Sequence, residues 1–227
     1  MSYDFRRLIY ILEILPSIIA ADWTKIYEEI KSVENCNLNY LHLDIMDGHF
    51  VDNLTFGMFI VDTIRKITHL KLDSHLMIKN PTKFIEKFYK SSDIVDVHVE
   101  VGEEAIECIE FAKKNNLKIG IVINPKTHPK YILPFVEDVE QVVVMTVNPG
   151  FAGQEMIKEV LWKVDYLNNF RIKSNLNFKI TIDGGVNWEN INELKKMGVD
   201  RVVMGKSFFS LDYERRKIYA LKFQKPQ

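Results

Sequence analysis

The sequence predicts an α/β fold, a single (β/α)8 TIM barrel over residues 1–227. Eight short β-rich apolar runs recur along the chain, and amphipathic segments fill the gaps between them. No linker or low-complexity stretch divides the chain. The runs lie at residues 14–20, 40–46, 70–78, 94–100, 118–124, 141–148, 178–183 and 201–206. Their spacing accommodates one strand, a crossover helix and two loops. Most are continuously apolar, as strands buried on both faces must be. Between them, Asp22 can cap a helix bearing Lys25, Ile26, Glu29 and Ile30, and Asn80 before Pro81 can cap one bearing Phe84, Ile85 and Phe88. Residues 103–115 carry Ile106, Ile109 and Phe111. Residues 155–170 carry Ile157, Val160, Leu161, Val164 and Leu167. Residues 187–197 carry Ile191 and Leu194 and stop at Gly198. A doubly wound open sheet is the rival architecture, but its Gly-rich turn after the first strand is missing.

Composition narrows the function classes. The 227 residues are 47% hydrophobic with 14 Phe, which excludes disorder. Thirty basic residues against 31 acidic ones leave a formal charge of −1, so nucleic acid is not an expected partner. Cys36 and Cys108 form no C-x-x-C pair and read as buried thiols in a reducing compartment. Arg6-Arg7 before the apolar stretch 8–21 resembles a secretory leader. Asp4, Glu13 and Pro16 contradict it, and the same residues are needed for the first strand. No uninterrupted apolar run reaches membrane-spanning length. The expectation is a cytoplasmic protein that does not engage a membrane.

In a barrel, the C-terminal ends of the strands build the active site. Here those ends are polar. His42, Asp44 and Met46 alternate on the second run and share one face, with Leu41, Leu43 and Ile45 on the other. The third run brings His75 two residues before Met77, and the seventh ends in Asp183. Any one of these alone is an ordinary buried polar residue. As a set at three strand ends, His42, Asp44, His75 and Asp183 make a candidate divalent metal site, suited to zinc, iron(II), manganese or cobalt better than calcium. His98, next to Glu100, is placed to support it, whereas His49, His69 and His128 read as loop or surface residues.

Glycines punctuate the last three strand ends. Gly150, Phe151, Ala152 and Gly153 follow the sixth, Gly184-Gly185 the seventh, and Gly205-Lys206 closes the eighth. Each alone is turn chemistry. Three in succession suit backbone N–H groups converging on a phosphate, for which the loops after the seventh and eighth strands are the usual place. Met46, Met77 and Met145 near strand ends suit either core packing or a water-excluding cap over a reactive intermediate.

In order and on the right strands, a set of motifs resembles the ribulose-phosphate 3-epimerase family. They are Pro16-Ser17-Ile18 with Ala20-Ala21-Asp22, the stretch from His42 through Asp47-Gly48-His49 to Val51, His75-Leu76-Met77, Asn124-Pro125-Lys126-Thr127, Val147-Asn148-Pro149-Gly150-Phe151 with Gly153-Gln154, and Asp183-Gly184-Gly185. The likeness runs from Leu15 to Ser207. It implies a TIM barrel of the pentose phosphate pathway that interconverts D-ribulose 5-phosphate and D-xylulose 5-phosphate. It implies one divalent metal ion per subunit, commonly Zn2+ or Fe2+, on His42, Asp44, His75 and Asp183. Asp44 and Asp183 become the acid/base pair, and Met46, Met77 and Met145 the cap. Ser17, His75, Gly150, Phe151, Ala152, Gly153, Gly184, Gly185, Gly205 and Lys206 become substrate contacts, and a homo-oligomer is implied. Three departures stand out: Asp52 where the family usually has Pro, Ala152 in place of Gly, and Met204-Gly205-Lys206 in place of Ala-Gly-Ser. Other readings stay open: a six-carbon ketose-phosphate epimerase, a Schiff-base aldolase using Lys79 or Lys206, and a non-catalytic phosphosugar-binding barrel.

Overall fold

The computed structural model describes residues 12–224. The leader-like Arg6-Arg7 and the outermost ends of the predicted domain lie outside the described residues. Eight parallel strands form one sheet: β1 Glu13–Pro16, β2 Tyr40–Met46, β3 Lys71–Met77, β4 Ile94–His98, β5 Lys118–Ile123, β6 Gln141–Met145, β7 Lys179–Asp183 and β8 Arg201–Met204. From β2 to β8 each strand pairs with its sequence neighbours, and β1 pairs with β8. The ring closes between β1 and β2 through one parallel bridge, Ser17 to His42. That seam lies at the polar strand ends, because β1 stops at Pro16 and the chain turns into a short 3-10 helix at Ile18–Ala20.

Helices α1 Ile26–Asn35, α2 Met58–Ile67, α3 Ile85–Phe88, α4 Glu103–Lys114, α5 Trp162–Lys173, α6 Ile191–Lys196, α7 Lys206–Phe209 and α8 Tyr213–Gln224 surround the strands. The main apolar core lies between the two layers and includes Leu41, Leu43, Val95, Val97, Ile121, Val142, Val144, Ile180 and Ile182. Three expectations need correction. The crossover from β5 to β6 has no α-helix, only 3-10 turns at Pro129–Tyr131 and Leu133–Phe135. Asn80 makes no side-chain cap, and Pro81 opens a 3-10 turn that leads into the single-turn α3. The helix expected from residue 155 begins at Trp162, because Glu155, Met156 and Lys158 are used to line a cavity. Three helices, α2, α7 and α8, stand where the sequence reading assigns none.

Helix ends explain part of the chain economy. α1, α4 and α5 each stop just before an Asn in the left-handed region, Asn37, Asn116 and Asn175, at φ 55°, 53° and 53°. The following Leu38, Leu117 and Leu176 turn back onto the core. The Leu117 and Leu176 N–H groups donate to Ala112 and Arg171 carbonyls five residues earlier, the Schellman closure.

Inside the ring, the ends of the strands away from the glycine loops carry a buried polar network. Arg201 donates to Gln141 Oε1 (3.0 Å) and the Tyr40 hydroxyl (2.9 Å), and pairs with Glu13 (2.8 Å). Gln141 Nε2 donates to Asp73 (3.0 Å) and Asp96 (2.9 Å). Burial, reinforced by the Asp73 charge, holds the Asp96 carboxyl well above the ordinary carboxylate range. Gly120 makes room for this pair, since a Cβ there would sit 1.9 Å from Asp96 Oδ1 and 2.8 Å from Gln141 Cγ. Gly120→Ala should therefore destabilise the fold by about 1–3 kcal/mol, the usual cost of overpacking. Urea unfolding measures it, and an unchanged midpoint would contradict this account of the barrel interior.

Candidate active site

Strand register brings the predicted metal residues together. β2 and β3 pair Asp44 with His75 and His42 with Asp73, so all four side chains share the inner face. Asp183, at the end of β7, enters the same space from across the mouth, and His42 and His75 are fully buried beneath it. The inward atoms form a ring of near contacts. His42 Nε2 lies 3.5 Å from Asp44 Oδ1 and 3.7 Å from Asp183 Oδ2. His75 Nδ1 lies 3.5 Å from Asp44 Oδ1 and 3.3 Å from Asp183 Oδ2.

These separations are long for hydrogen bonds. His42 Nε2 and His75 Nδ1 are buried with no hydrogen-bond partner. Ligand atoms about 2.0–2.2 Å from a tetrahedral ion stand about 3.4 Å from one another, so the four residues fit a small divalent cation at their centre. The outer ring nitrogens are all engaged. His42 Nδ1 meets Asp73 Oδ2 at 2.8 Å, and His75 Nε2 meets His98 Nε2 at 2.8 Å. Ser17 Oγ donates to Asp44 Oδ2 at 2.5 Å, leaving Oδ1 for the cluster. Asp73 and Asp96 also lie near His42 as a second acidic group, but the Gln141 amide and the His42 ring satisfy them.

Electrostatics follow from the crowding. Burial works against charge on Asp44, yet the His42 and His75 rings beside it hold its carboxyl well below the ordinary carboxylate range. Burial alone would lower His75, but the facing Asp183 and Asp44 carboxylates raise it to about 9. For His98 burial dominates and takes it down to about 4, despite the adjacent Glu100.

Asp44 and Asp183 floor a cavity of ≈490 Å3, into which Ser17, Met46, Met77 and Met145 also project. Gly150, Phe151, Ala152, Gly153, Gly184, Gly185, Gly205 and Lys206 also line it. Met46 and Met77 pack with Val51, and Met145 packs with Val122, Val143 and Val147. Gly185, at φ 64°, runs so close to the chain at Met156 that a Cβ would meet its backbone nitrogen at 2.3 Å. Ala152 has no such need, because positive φ outside glycine occurs only at Asn37, Asn116 and Asn175 among the described residues. Lys206 lines the cavity with its Cδ beside Gly153, and Asp52 is exposed outside it. His49 and His69 are exposed, as expected, while His128 is half-buried against Trp162 and Tyr166.

Some contributors escape the sequence reading. Asn53 Nδ2 donates to the Gly150 carbonyl (2.6 Å), tying the loop after β2 to the loop after β6. Thr55 Oγ1 donates to the Asp44 carbonyl (2.6 Å) and accepts from the Met46 N–H (2.9 Å). Both lie in a loop without periodicity, and only an Asn and a Thr close after the Asp-Gly turn hint at them.

Barrel, cavity and carboxylate–imidazole cluster together define a (β/α)8 protein with a candidate metal centre at the C-terminal mouth. Solved structures of tryptophan synthase alpha-subunits share this fold. One from Pyrococcus furiosus is 16% identical over 96% of this chain and 97% of that chain, at TM-score 0.63. Another, from Campylobacter jejuni, is 14% identical over 99% and 100%, also at 0.63. Residues 13–209 match the Ribulose-phosphate 3 epimerase family, and the chain belongs to it. Ribulose-phosphate 3-epimerase of Bacillus subtilis (strain 168) is 36% identical over 94% of this chain and all of the relative. That of Helicobacter pylori (strain J99) is 37% identical over 87% and 91%. The chloroplastic enzyme of Arabidopsis thaliana is 35% identical over 92% and 76%.

The raised His75 sets a pH dependence. With its folded value near 9 against an ordinary 6.5, its proton stabilises the metal-free fold fully below pH 6.5, and that contribution is lost as pH rises through 9. A cation must displace this proton and the one that, against burial, the Asp44 and Asp73 carboxylates hold on His42, so affinity for Zn2+ should rise at least about tenfold per pH unit between these limits. Chelator competition across that window measures it. A flat profile would contradict the proton-loaded cluster.

Proposed function

We propose that this chain interconverts D-ribulose 5-phosphate and D-xylulose 5-phosphate by moving the C3 proton between two aspartates. The observation that carries the reading is the placement of Asp44 and Asp183 on separate strands, facing one pair of buried imidazoles at the floor of one cavity. Family membership supports the substrate.

The C3 hydrogen is acidic because a ketone stands at C2. Inversion needs proton removal on one face and delivery on the other, hence two acid/base groups. The Asp44 carboxylate, held in place by the Ser17 hydroxyl, takes the proton from C3. The bonding pair moves toward C2 and its oxygen, giving a 2,3-enediolate. A protonated Asp183 returns a proton to C3 from the opposite side and is left ionised. The reverse reaction exchanges the roles. His42, Asp44, His75 and Asp183 would hold a divalent ion, Zn2+ or Fe2+ by preference and Mn2+ or Co2+ as substitutes. When bound, the ion supplies Lewis-acid stabilisation of negative charge on the substrate oxygens.

Met46, Met77 and Met145 exclude water from the reacting end. The phosphate sits at the opposite end, against the backbone of Gly184-Gly185, Gly205-Lys206 and the 150–153 loop, with the Lys206 ammonium adding charge. Holding the substrate there places C3 between the carboxylates. The Schiff-base alternative keeps only Lys206, because Lys79 is exposed and does not line the cavity, and it leaves the buried histidine–aspartate cluster without a use. A cytoplasmic setting suits the buried free thiols Cys36 and Cys108. Association of identical subunits completes this reading as a family expectation.

Asp44→Asn and Asp183→Asn should fold and each lose at least about 10²-fold in turnover of ribulose 5-phosphate. A near-normal rate in either variant would refute the two-aspartate scheme. Lys206→Met should raise KM several-fold and leave kcat nearly unchanged, as loss of uniform phosphate binding requires. A kcat loss without a KM change would place Lys206 elsewhere in the reaction.

A further inference from the structure

Behind His75 runs a chain of hydrogen bonds that proton transfer does not use. His75 Nε2 meets His98 Nε2 at 2.8 Å, and His98 Nδ1 meets Glu100 Oε2 at 3.0 Å. Glu100 Oε1 accepts from the Asn124 N–H (2.8 Å) and from Thr127 Oγ1 (2.5 Å). The loop that supplies these donors is itself anchored by Lys163, whose ammonium donates to the Asn124 and Pro125 carbonyls at 2.8 Å each. His98 is fully buried, with the Phe50 ring centroid 4.6 Å from its own and tilted 48° to it, so the protein rather than solvent sets which of its nitrogens carries hydrogen.

We infer that Glu100, acting through His98, is a positioning residue that fixes the tautomer of His75. The logic is directional. An ionised carboxylate only accepts, so His98 Nδ1 must carry the hydrogen facing Glu100. Neutral His98 then has a lone pair at Nε2, and His75 Nε2 must donate to it. In the neutral His75 ring that a cation would bind, the lone pair is thereby left on Nδ1, the atom that faces Asp44 and Asp183 and has no partner. Without Glu100, His98 can carry its hydrogen on Nε2 and donate to His75, which drives the His75 hydrogen onto Nδ1 and into the cluster. His42 is oriented by a carboxylate directly, through Asp73. His75 receives the same service through an intervening imidazole, from Glu100 in the turn directly after β4.

This rests on the proposed metal role of the cluster, and its test separates the two. Long-range 1H–15N spectra of the imidazoles, recorded on metal-free and Zn2+-loaded protein, report the tautomers. Chelator competition reports Zn2+ affinity. Wild-type protein should show His98 as the Nδ1–H tautomer in both states. Glu100→Met, which fills the space but accepts no hydrogen bond, should bind Zn2+ about 10–100-fold more weakly. Glu100→Gln, which keeps an acceptor for His98, should restore affinity to within about threefold of wild type. A His98 Nε2–H tautomer in wild type, or folded Glu100→Met protein with wild-type affinity, would overturn the relay. If Glu100→Met does not fold, the wild-type spectrum decides alone. Wild-type protein that binds no Zn2+ would overturn the metal role and the relay's purpose with it. The tautomer in metal-free protein identifies that case.

Discussion

Two buried imidazoles point unpartnered nitrogens at two carboxylates across gaps of 3.3–3.7 Å. Such gaps are costly, because a buried polar atom without a partner forfeits the hydrogen bond it made to water. The surroundings over-determine them nonetheless. Asp73 and His98 hold the far side of each ring, Ser17 holds Asp44, and the β2–β3 register sets Asp44 beside His75. The one bridge that closes the barrel between β1 and β2 joins Ser17 to His42, so closure of the fold and assembly of the site are the same event.

The cavity joins three chemistries: carboxylates with imidazoles buried beside them, methionine side chains, and glycine backbone with Lys158 and Lys206. A sugar phosphate matches that combination of surfaces, with a polar reacting end, a segment kept from water and an anionic handle. The Lys206 departure from the usual family pattern lines the cavity where the phosphate is proposed to bind, and a cation is compatible with that use.

Much of this was readable from residues because the constraint acts locally. Strands buried on both faces must be apolar, so the interruptions at His42, Asp44, His75 and Asp183 stood out, and all four meet in space. Glycines whose backbone touches another chain segment, such as Gly185, were equally visible. The remainder depends on register and three-dimensional neighbours. Asp73 could not be paired with His42, nor Gln141 with Asp73 and Asp96, before strand order placed them together. His98 and Glu100 were adjacent in sequence, but their link to His75 and to the Asn124–Thr127 loop is a tertiary fact. Helix α2 is strongly amphipathic and its signal was there to read, whereas α8 has little contrast between its faces, and α5 starts late because the cavity claims the residues before it.

Solvent exchange at C3 tests the central claim most directly. Ribulose 5-phosphate is incubated with the protein in D2O and followed by NMR, before and after the protein is stripped with a strong chelator. The account predicts deuterium at C3 as xylulose 5-phosphate appears, loss of both on stripping, and return of both when Zn2+ or Fe2+ is restored. Undiminished exchange by protein shown to be metal-free would contradict the role given to the histidine–aspartate cluster. No exchange by folded, metal-replete protein would contradict the proton transfer itself.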